Sequence, residues 1–367
     1  METLQLDAWL ERAAHEMGFH APTPVQAQTV PAVLSGRDVL ASAPTGSGKT
    51  AAFALPILHA LAKEPYGVYA LVLSPARELA AQIADAFAAL GAHLRISVAT
   101  VVGGVDMMRQ ALELDQRPHV VVATPGRLAD HLRSSAAAGR AFKRLRYLVI
   151  DEADRVLELG FSADVEHILS ELPKKRQTLL FSATMSEALR RLGRLALREP
   201  YVADLAAHSS LSPTLTHKYV FVPLMTRDAY LVHLLRRHLG GEGADGGASA
   251  SSNASSSVIV FAGSCRECET LGYTLRGLGL DCTALHSQQP MRRRASAIAR
   301  FKSGTLRLIV ATAVVARGLD IPAVELVINH NVPAAPADYV HRCGRTARAG
   351  RDGAARTPGT QDDRAGP

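Results

Sequence analysis

The loop Ala43-Pro-Thr-Gly-Ser-Gly-Lys-Thr50 has a composition and spacing that suit phosphate chemistry, and it lies between an apolar run and a helical pattern. Gly46 and Gly48 allow backbone N–H groups to turn inward onto phosphate oxygens, and the start of a helix adds a favourable dipole. Lys49 can reach the β- and γ-phosphates of a nucleotide, and Thr50 can ligate Mg²⁺. The loop therefore predicts a nucleotide-binding site, and a chance glycine-rich turn is the alternative.

A second segment, Asp151-Glu-Ala-Asp154, carries three carboxylates and follows the apolar run Tyr147–Ile150. In parallel α/β sheets the carboxyl ends of the strands face the crevice where ligands bind. Asp151 is placed to hold Mg²⁺ through water, and Glu152 is the candidate base that activates the attacking water. Asp154 is expected to contact other motifs rather than the metal. An exposed acidic turn is the alternative, but it would not need an apolar strand before it.

The phosphate loop and the carboxylate segment must be positioned by the elements around them. These elements are short apolar runs, which alternate with helical patterns. The first series of runs is Val39–Ala43, Val68–Ser74, Ile96–Val102, Val120–Thr124, Tyr147–Ile150 and Thr178–Phe181. The second series is Tyr219–Val222, Val258–Ala262, Cys282–Leu285, Leu306–Ala311 and Leu326–Ile328. This alternation predicts an α/β fold with parallel sheets covered on both faces. Two series within 367 residues predict two tandem domains.

The predicted domain boundaries follow from where the two series of runs meet and, for the N-terminal region, from the family resemblance described below. We predict an N-terminal region over 1–26, a first domain over 27–205, a linker over 206–216 and a second domain over 217–353. A Gly/Ala/Ser-rich insertion at 240–257 is predicted to be a disordered surface loop.

The C-terminal segment 354–367 has no strand-forming run and is predicted to be a disordered tail. The family resemblance described below implies a further strand and helix after Gly353, so we expect the second domain to be cut short and to lack its last strand. The runs Leu326–Ile328 and Leu306–Ala311 should then be less covered, and the second domain should be less stable than the first.

Composition narrows the functional classes. Lys and Arg number 41 against 34 Asp and Glu, for a net charge of +7, which favours a polyanionic partner but also fits an ordinary basic surface. Four cysteines in a chain of this length do not suit a secreted disulfide framework. No apolar run approaches the ~18 residues that span a bilayer, and no signal-peptide pattern is present, so we expect an intracellular protein without a membrane partner.

Several motifs in one order give the chain a family resemblance. They are the Asp151–Asp154 box, Gly18-Phe-His-Ala-Pro-Thr-Pro-Val-Gln26, Ser182-Ala-Thr184, Arg317-Gly-Leu-Asp320 and His341-Arg-Cys-Gly-Arg-Thr-Ala-Arg348. With these motifs the chain resembles the DEAD-box RNA helicases from about Leu4 to Gly353. The resemblance implies two RecA-like domains and ATP hydrolysis coupled to local unwinding of RNA.

The resemblance also implies roles in the ATP site. Phe19 would stack on adenine, Gln26 would hydrogen-bond its edge, and Asp320 would contact the ribose. Arg345 and Arg348 would act as arginine fingers on the γ-phosphate, because a guanidinium stays charged and forks onto phosphate oxygens. The implied catalytic residues are Lys49, Asp151, Glu152, Arg345 and Arg348. The implied ATP-binding residues are Phe19, Thr23, Gln26, Ala43, Pro44, Thr45, Gly46, Ser47, Gly48, Lys49, Thr50, Gly318 and Asp320. Thr50 and Asp151 would hold Mg²⁺, Asp151 through water.

Other residues are implied to bind RNA or to couple its binding to ATP. The RNA-binding residues would be Pro75, Arg77, Gly103, Gly104, Thr124, Pro125, Gly126, Arg127, Ser264, Arg294 and Thr312. The coupling residues would be Asp154, Ser182, Thr184 and His341. Small residues with exposed N–H groups suit phosphates and 2′-hydroxyls, so the core should read little RNA sequence. Surface ion pairs are the alternative role for Arg77 and Arg127.

Longer stretches, such as 118–135 and Val327-Ile-Asn-His-Asn331, resemble the subgroup that acts on precursor ribosomal RNA during small-subunit assembly. This resemblance implies a nucleolar monomer with a possible protein activator in pre-ribosomal particles. Ala76 and Ala313 replace the Thr and Asp of the family pattern, which could reduce activity. Ala313 and the expected truncation favour an ATP-gated RNA clamp with negligible turnover as the alternative function, and a DNA helicase or another phosphate-loop hydrolase is a third one.

The adenine contacts implied for Phe19 and Gln26 predict a preference for ATP over GTP. A site that hydrogen-bonds a base edge rejects a base whose donors and acceptors are exchanged. Steady-state hydrolysis of both nucleotides at matched concentrations measures this preference. Equal use of ATP and GTP would leave Gln26 with a structural role only.

Overall fold

The computed structural model describes residues 2–44, 46–158, 160–205, 215–240, 256–313, 321, 323–333, 336–347 and 353–359. The chain divides into two compact units, Met1–Ser209 and Ser210–Pro367. No helix within the described ranges is both long and apolar enough to cross a membrane.

The first unit is built on a seven-stranded parallel sheet. Its strands are β1 (Val39–Ser42), β2 (Ala70–Leu73), β3 (Val98–Val101), β4 (Val120–Ala123), β5 (Tyr147–Ile150), β6 (Gln177–Ser182) and β7 (Tyr201–Asp204). They lie in the order β3-β4-β2-β5-β6-β1-β7. The helices are α1 (Ala8–Glu16), α2 (Pro24–Leu34), α3 (Lys49–Lys63), α4 (Arg77–Leu90), α5 (Met107–Asp115), α6 (Pro125–Ser134), α7 (Ala136–Ala141), α8 (Ala153–Glu158), α9 (Ser162–Glu171) and α10 (Glu187–Ala196).

The second unit contains a six-stranded parallel sheet. Its strands are β8 (Leu215–Phe221), β9 (Val258–Ala262), β10 (Thr283–Leu285), β11 (Leu308–Thr312), β12 (Leu326–Asn329) and β13 (Gly353–Gly359), in the order β10-β11-β9-β12-β13-β8. Its described helices are α11 (Arg227–Leu239), α12 (Cys265–Gly277), α13 (Met291–Lys302) and α14 (Pro336–Cys343).

Alternate residues of the central strands enter separate cores on the two faces of each sheet. In β2, Ala70 and Val72 join one core, while Leu71 and Leu73 join the other. The same alternation divides β9 of the second unit between two cores. Because both faces are buried, these strands are continuous apolar runs in the sequence, as expected for parallel sheets. The predicted α/β class with two parallel-sheet domains is confirmed.

The expected loss of the last strand in the second domain is wrong. Residues 353–359 form β13, which pairs with β12 on one side and with β8 on the other. Residues 326–328 and 308–311 are all at most 4% exposed, so these strands are fully covered. Neighbouring strands and side chains stabilise this polar segment, as when Asn329 Nδ2 donates to Thr357 Oγ1 at 3.1 Å. Residues 360–367 of the predicted tail lie outside the described residues.

Two other predicted boundaries also differ. Leu215 and Thr216, which we assigned to the linker, are the first residues of β8, and the rest of 206–216 lies outside the described residues. In the predicted insertion 240–257, Gly240 caps α11 and the carbonyl of Ser257 accepts the amide of Glu325 at 3.1 Å. Residues 241–255 are not among those described.

A substitution at Gly353 tests whether β13 is packed into the sheet. A Cβ added there would overlap the Thr346 hydroxyl and the Ala347 backbone nitrogen. Gly353→Ala should therefore destabilise the second unit by about 1–3 kcal/mol, the usual cost of overpacking. Hydrogen exchange of β9 and β12 measures the free energy of unfolding of this unit.

Gly277→Ala is the matched control, because a Cβ at this helical position meets nothing within 4 Å. It should be neutral or stabilise the unit by up to about 1 kcal/mol, since Ala is the better helix former. If Gly353→Ala behaves in the same way, residues 353–359 are not packed into the sheet.

Candidate nucleotide and RNA sites

The phosphate loop connects β1 to α3 and has the backbone that the sequence predicts. Gly46 and Gly48 have left-handed φ values of 82° and 89°. Lys49, the first residue of α3, is 9% exposed, and its Nζ donates to the carbonyls of Ala43 at 2.6 Å and Pro44 at 3.2 Å. The Ser47 hydroxyl is buried without a hydrogen-bond partner in the described part of the chain. A lysine amine, a buried hydroxyl and a left-handed turn at one helix N-terminus suit a polyphosphate.

Gln26 contacts the phosphate loop directly. Its Nε2 donates to the Gly48 carbonyl at 3.1 Å, and its Oε1 accepts the Thr23 amide at 3.0 Å. The side chain is 1% exposed, and a Cβ on Gly48 would crowd it. Each end of the amide keeps one further hydrogen-bonding position, so these contacts are compatible with an adenine edge. Phe19 is partly buried and packs against the core of the first unit. The adenine contacts of both residues stay predictions.

Asp151 and Glu152 follow β5 at the carboxyl edge of the sheet. Asp151 is 3% exposed, and burial raises the pKa of its carboxyl to about 6, although Lys49 and a hydrogen bond from the Glu152 amide act in the opposite direction. Glu152 has a φ of 47°, a left-handed conformation that costs a non-glycine residue about 1–3 kcal/mol. Such a conformation is typical of active sites, and here it follows the buried Asp151 immediately.

Asp154 connects this carboxylate segment to the motif after β6. Its Oδ2 accepts the Thr184 hydroxyl at 2.9 Å and the Thr184 amide at 3.2 Å. The Thr184 amide also lies 3.3 Å from the Ser182 hydroxyl, and the Ser182 carbonyl accepts the Ala43 amide at 3.0 Å. A continuous set of contacts therefore joins the ends of β5, β6 and β1. The prediction that Asp154 contacts another motif agrees with this geometry.

The RNA-binding candidates of the first unit follow β2, β3 and β4. The Arg77 guanidinium lies directly against Gly103 and Gly104, where an added Cβ would overlap it. Arg127 Nη1 donates to the Val105 carbonyl at 2.7 Å, so this arginine is fixed within its own unit. Of the remaining candidates, Pro75, Thr124 and Pro125 are buried and Gly126 is half-buried.

Gln110 is a residue that sequence reasoning missed. Its Nε2 donates to the Val102 carbonyl at 2.9 Å, and its Oε1 accepts from Arg127 Nη1 at 3.2 Å. His131 Nε2 lies 3.3 Å from the same oxygen. Gln110 thus orients Arg127, and no motif or spacing marks it because it is a lone amide on an amphipathic helix.

Two candidates of the second unit lie at strand ends, and the other described ones lie on or just after helices. Ser264 follows β9 and accepts the Glu267 amide at 3.1 Å, which caps α12. Thr312 ends β11 and is 6% exposed, and Arg294 on α13 is 7% exposed. His341 lies on α14 and Arg345 follows it, with Arg345 3% exposed. Thr45, Gly318, Asp320 and Arg348 lie outside the described residues.

The chain thus has the fold and the phosphate loop of a RecA-like nucleoside triphosphatase. Two family models match it: DEAD/DEAH box helicase over residues 23–192, and helicase conserved C-terminal domain over residues 233–350. The chain belongs to the DEAD-box family of ATP-dependent RNA helicases, which are RNA-stimulated ATP hydrolases.

Individual relatives agree with this assignment. The chain is 49% identical to the human probable ATP-dependent RNA helicase DDX49, in an alignment that covers 98% of this chain and 72% of that protein. It is 43% identical to the ATP-dependent rRNA helicase rrp3 of Botryotinia fuckeliana, over 96% of this chain and 69% of that protein. The structure of Mss116p bound to ssRNA and AMP-PNP matches it with a TM-score of 0.85 at 30% identity, over 98% of this chain and 74% of that chain.

Asp151 gives a pH-dependent prediction. Its folded pKa of about 6 lies above the ordinary 3.8, so the stabilisation that its proton provides is complete below pH 3.8 and is lost as the pH rises through about 6. The ionised carboxylate therefore destabilises the first unit at neutral pH. Asp151→Asn should stabilise that unit by up to about 3 kcal/mol at neutral pH, and this gain should shrink towards pH 4.

Trp9, the single tryptophan of the chain, packs on the core of the first unit, so its fluorescence follows unfolding of that unit. Asp130→Asn is the control, because Asp130 is exposed and Arg133 Nη1 lies 4.0 Å from its carboxylate. This substitution should change the free energy of unfolding by less than about 0.5 kcal/mol at any pH. A gain from Asp151→Asn that did not vary with pH would contradict the burial argument.

Proposed function

We propose that this helicase uses ATP and Mg²⁺ to separate short RNA duplexes during the maturation of precursor ribosomal RNA. The observation that carries the ATP part is the set of contacts after β5, β6 and β1. There the phosphate loop, the buried Asp151 and the Asp154–Thr184 pair lie at adjacent strand ends of one sheet. Carboxylates beside a phosphate loop suit the binding and hydrolysis of a nucleoside triphosphate.

Residues of the first unit would divide the chemistry among them. Lys49 and the loop amides would hold the β- and γ-phosphates, while Thr50 and Asp151, through water, would hold Mg²⁺. Bound Mg²⁺ would neutralise charge on the β- and γ-phosphate oxygens. Glu152 would accept a proton from the attacking water. The buried Ser47 hydroxyl and the left-handed loop support this assignment, because each leaves polar groups suited to phosphate oxygens.

Residues of the second unit would complete the site. By resemblance to the family, Gly318 and Asp320 would contact the nucleotide, and Arg345 and Arg348 would stabilise the charge that develops on the γ-phosphate. His341 would take part in coupling. Supplying these groups from a second unit would make hydrolysis depend on residues of both units.

RNA would bind mainly through its backbone. In the first unit the proposed contacts come from Arg77 with Gly103 and Gly104, and from the segment Thr124–Arg127. In the second unit they come from Ser264, Arg294 and Thr312. Helix α13 carries three consecutive arginines and no acidic residue, and Arg292 and Arg293 are exposed, which suits a polyanionic strand. Mss116p, similar in fold to this chain, binds single-stranded RNA in its solved structure.

The ribosomal role is supported by the names of relatives. The rrp3 protein is named an rRNA helicase, while DBP8 and DDX49 are named ATP-dependent RNA helicases. We therefore propose a nucleolar site of action on precursor RNA of the small subunit. We further propose that the chain works as a monomer with a protein activator in pre-ribosomal particles.

An ATP-gated clamp with negligible turnover was the alternative function. One reason for it was the expectation that the second domain lacks its last strand. Since β13 is present and paired on both sides, that ground no longer holds. Ala76 and Ala313 remain as departures from the family pattern. Turnover of the purified chain separates the two functions.

RNA-stimulated ATPase and unwinding of a short duplex test the proposal. Lys49→Ala should abolish ATP binding, because the phosphates lose their main cation. Glu152→Gln should bind ATP and RNA normally but lose hydrolysis, since the general base is removed while the shape is kept. Single-stranded DNA of matched sequence should stimulate poorly, because the 2′-hydroxyl contacts are missing.

Two outcomes would contradict the assignments. Hydrolysis at a near wild-type rate in Glu152→Gln would remove Glu152 as the base. Stimulation by DNA equal to that by RNA would argue against 2′-hydroxyl recognition. An exposed-site control, Arg109→Gln, should leave both activities unchanged, because the exposed Arg109 side chain pairs with Glu113 on the surface of α5.

A further inference from the structure

A buried histidine of the second unit lies between two carboxylates. His330, which directly follows β12, is 2% exposed. Its Nε2 lies 2.8 Å from Asp228 Oδ1, and its Nδ1 lies 3.0 Å from Glu267 Oε1. An imidazole can donate from both nitrogens only when it is protonated. The arrangement therefore suits an imidazolium cation that connects the start of α11 to α12.

Glu267 in turn holds the turn that follows β9. Its Oε2 accepts the Gly263 amide at 3.0 Å, and its own amide donates to Ser264 Oγ at 3.1 Å. Asn331 Oδ1 accepts the same Gly263 amide at 2.9 Å. Ser264 Oγ already accepts a hydrogen bond, so its hydroxyl hydrogen is the group suited to donate to a phosphate oxygen.

We infer that His330 is a positioning residue for RNA binding, which acts through Glu267 to fix the exposed turn Gly263–Ser264 in the conformation that contacts the RNA backbone. The inference rests on the RNA contact proposed above for Ser264. His330 itself, being buried, does not touch RNA.

The charges around His330 favour its protonated form. Burial lowers the pKa of the imidazole, but hydrogen bonds to Glu267 and Asp228 outweigh this effect and raise it overall. The hydrogen bond from His330 is also the main reason that the pKa of Glu267 is lowered to about 2. The other charged groups facing this site are Arg227 on α11, Arg266 on α12 and Arg342 on α14, whose Nη1 donates to the Asn331 carbonyl at 2.9 Å.

Loss of the proton would loosen the turn. A neutral imidazole donates from one nitrogen only, so one carboxylate loses its hydrogen bond and the other bond is no longer assisted by charge. Because the folded pKa of His330 is raised, stabilisation by this proton is complete below pH 6.5 and is lost as the pH rises through the folded pKa. A cavity of about 420 Å³ beside the ring gives solvent access to the site.

The test measures RNA affinity of the full chain with labelled oligouridine and a non-hydrolysable ATP analogue, from about pH 6 to about pH 9. The wild type should bind several-fold more weakly at the upper end. His330→Gln keeps one donor to Glu267 without titrating, so its affinity should be intermediate and independent of pH. His330→Leu should bind weakly at every pH.

Asp228→Asn tests the inference most directly, through the pH midpoint of RNA affinity. It removes a carboxylate that favours the imidazolium but leaves the contacts between Glu267 and the turn, so the midpoint of the affinity profile should move to lower pH. The Asp228 side chain is 70% exposed, so this variant folds even if His330→Leu does not. A midpoint that does not move, or an affinity profile that is flat in the wild type, overturns the inference. His233→Gln on α11 is the control and should keep the wild-type profile.

Ser264→Ala separates this inference from the proposed function. If Ser264→Ala binds RNA as tightly as the wild type, the proposed RNA contact at this turn is contradicted. The positioning role of His330 is then contradicted as well, because it depends on that contact. If Ser264→Ala loses affinity while His330→Gln keeps the wild-type pH profile, RNA does contact the turn and only the role of His330 is overturned.

Discussion

Parallel pairing of the strands in the described parts of the chain is the constraint on which the rest of the structure depends. Because all strands of a sheet run in one direction, every loop that follows a strand emerges at the same edge. In the first unit the order β3-β4-β2-β5-β6-β1-β7 then divides this edge into two parts. The loops after β5, β6 and β1 carry the nucleotide motifs, and those after β3, β4 and β2 carry the RNA candidates. The order of strands in the sheet, rather than their order in the sequence, therefore brings the nucleotide motifs together and the RNA candidates together.

Hydrogen bonds join the nucleotide motifs of the first unit to one another. Asp154 and Thr184 join two adjacent strand ends, and Gln26 contacts the phosphate loop through Gly48. Each contact uses a buried or half-buried polar pair, which is costly to leave unsatisfied. A movement of the phosphate loop would therefore displace the Gln26 side chain. A movement of Asp154 after β5 would likewise displace Thr184 after β6. This geometry joins the nucleotide motifs after β5, β6 and β1 into one hydrogen-bonded set and holds Gln26 against the phosphate loop.

The features that could be predicted from the sequence are those that a local pattern of residues determines. The central strands were found because burial on both faces makes them apolar throughout, and the phosphate loop was found because only glycine tolerates its left-handed turns. Strand β13 was missed because its residues carry no apolar run, and its position depends on pairing with β12 and β8. The roles of Gln110 and His330 were also missed, because each depends on partners distant in sequence. Such contacts come from tertiary packing, which single-sequence patterns do not record.

The place of β13 has a consequence for how the second unit is made. Strand β8 is the first strand of that unit in the chain, yet it lies at the sheet edge with β13 as its neighbour. The first strand of the unit can therefore pair with β13 only after the rest of the unit has been made, and such contacts between distant parts of the chain slow folding. During synthesis on the ribosome, β8 would emerge long before its partner. Tyr219 and Phe221, half-exposed even in the finished fold, would then be open to chaperones or to other nascent chains.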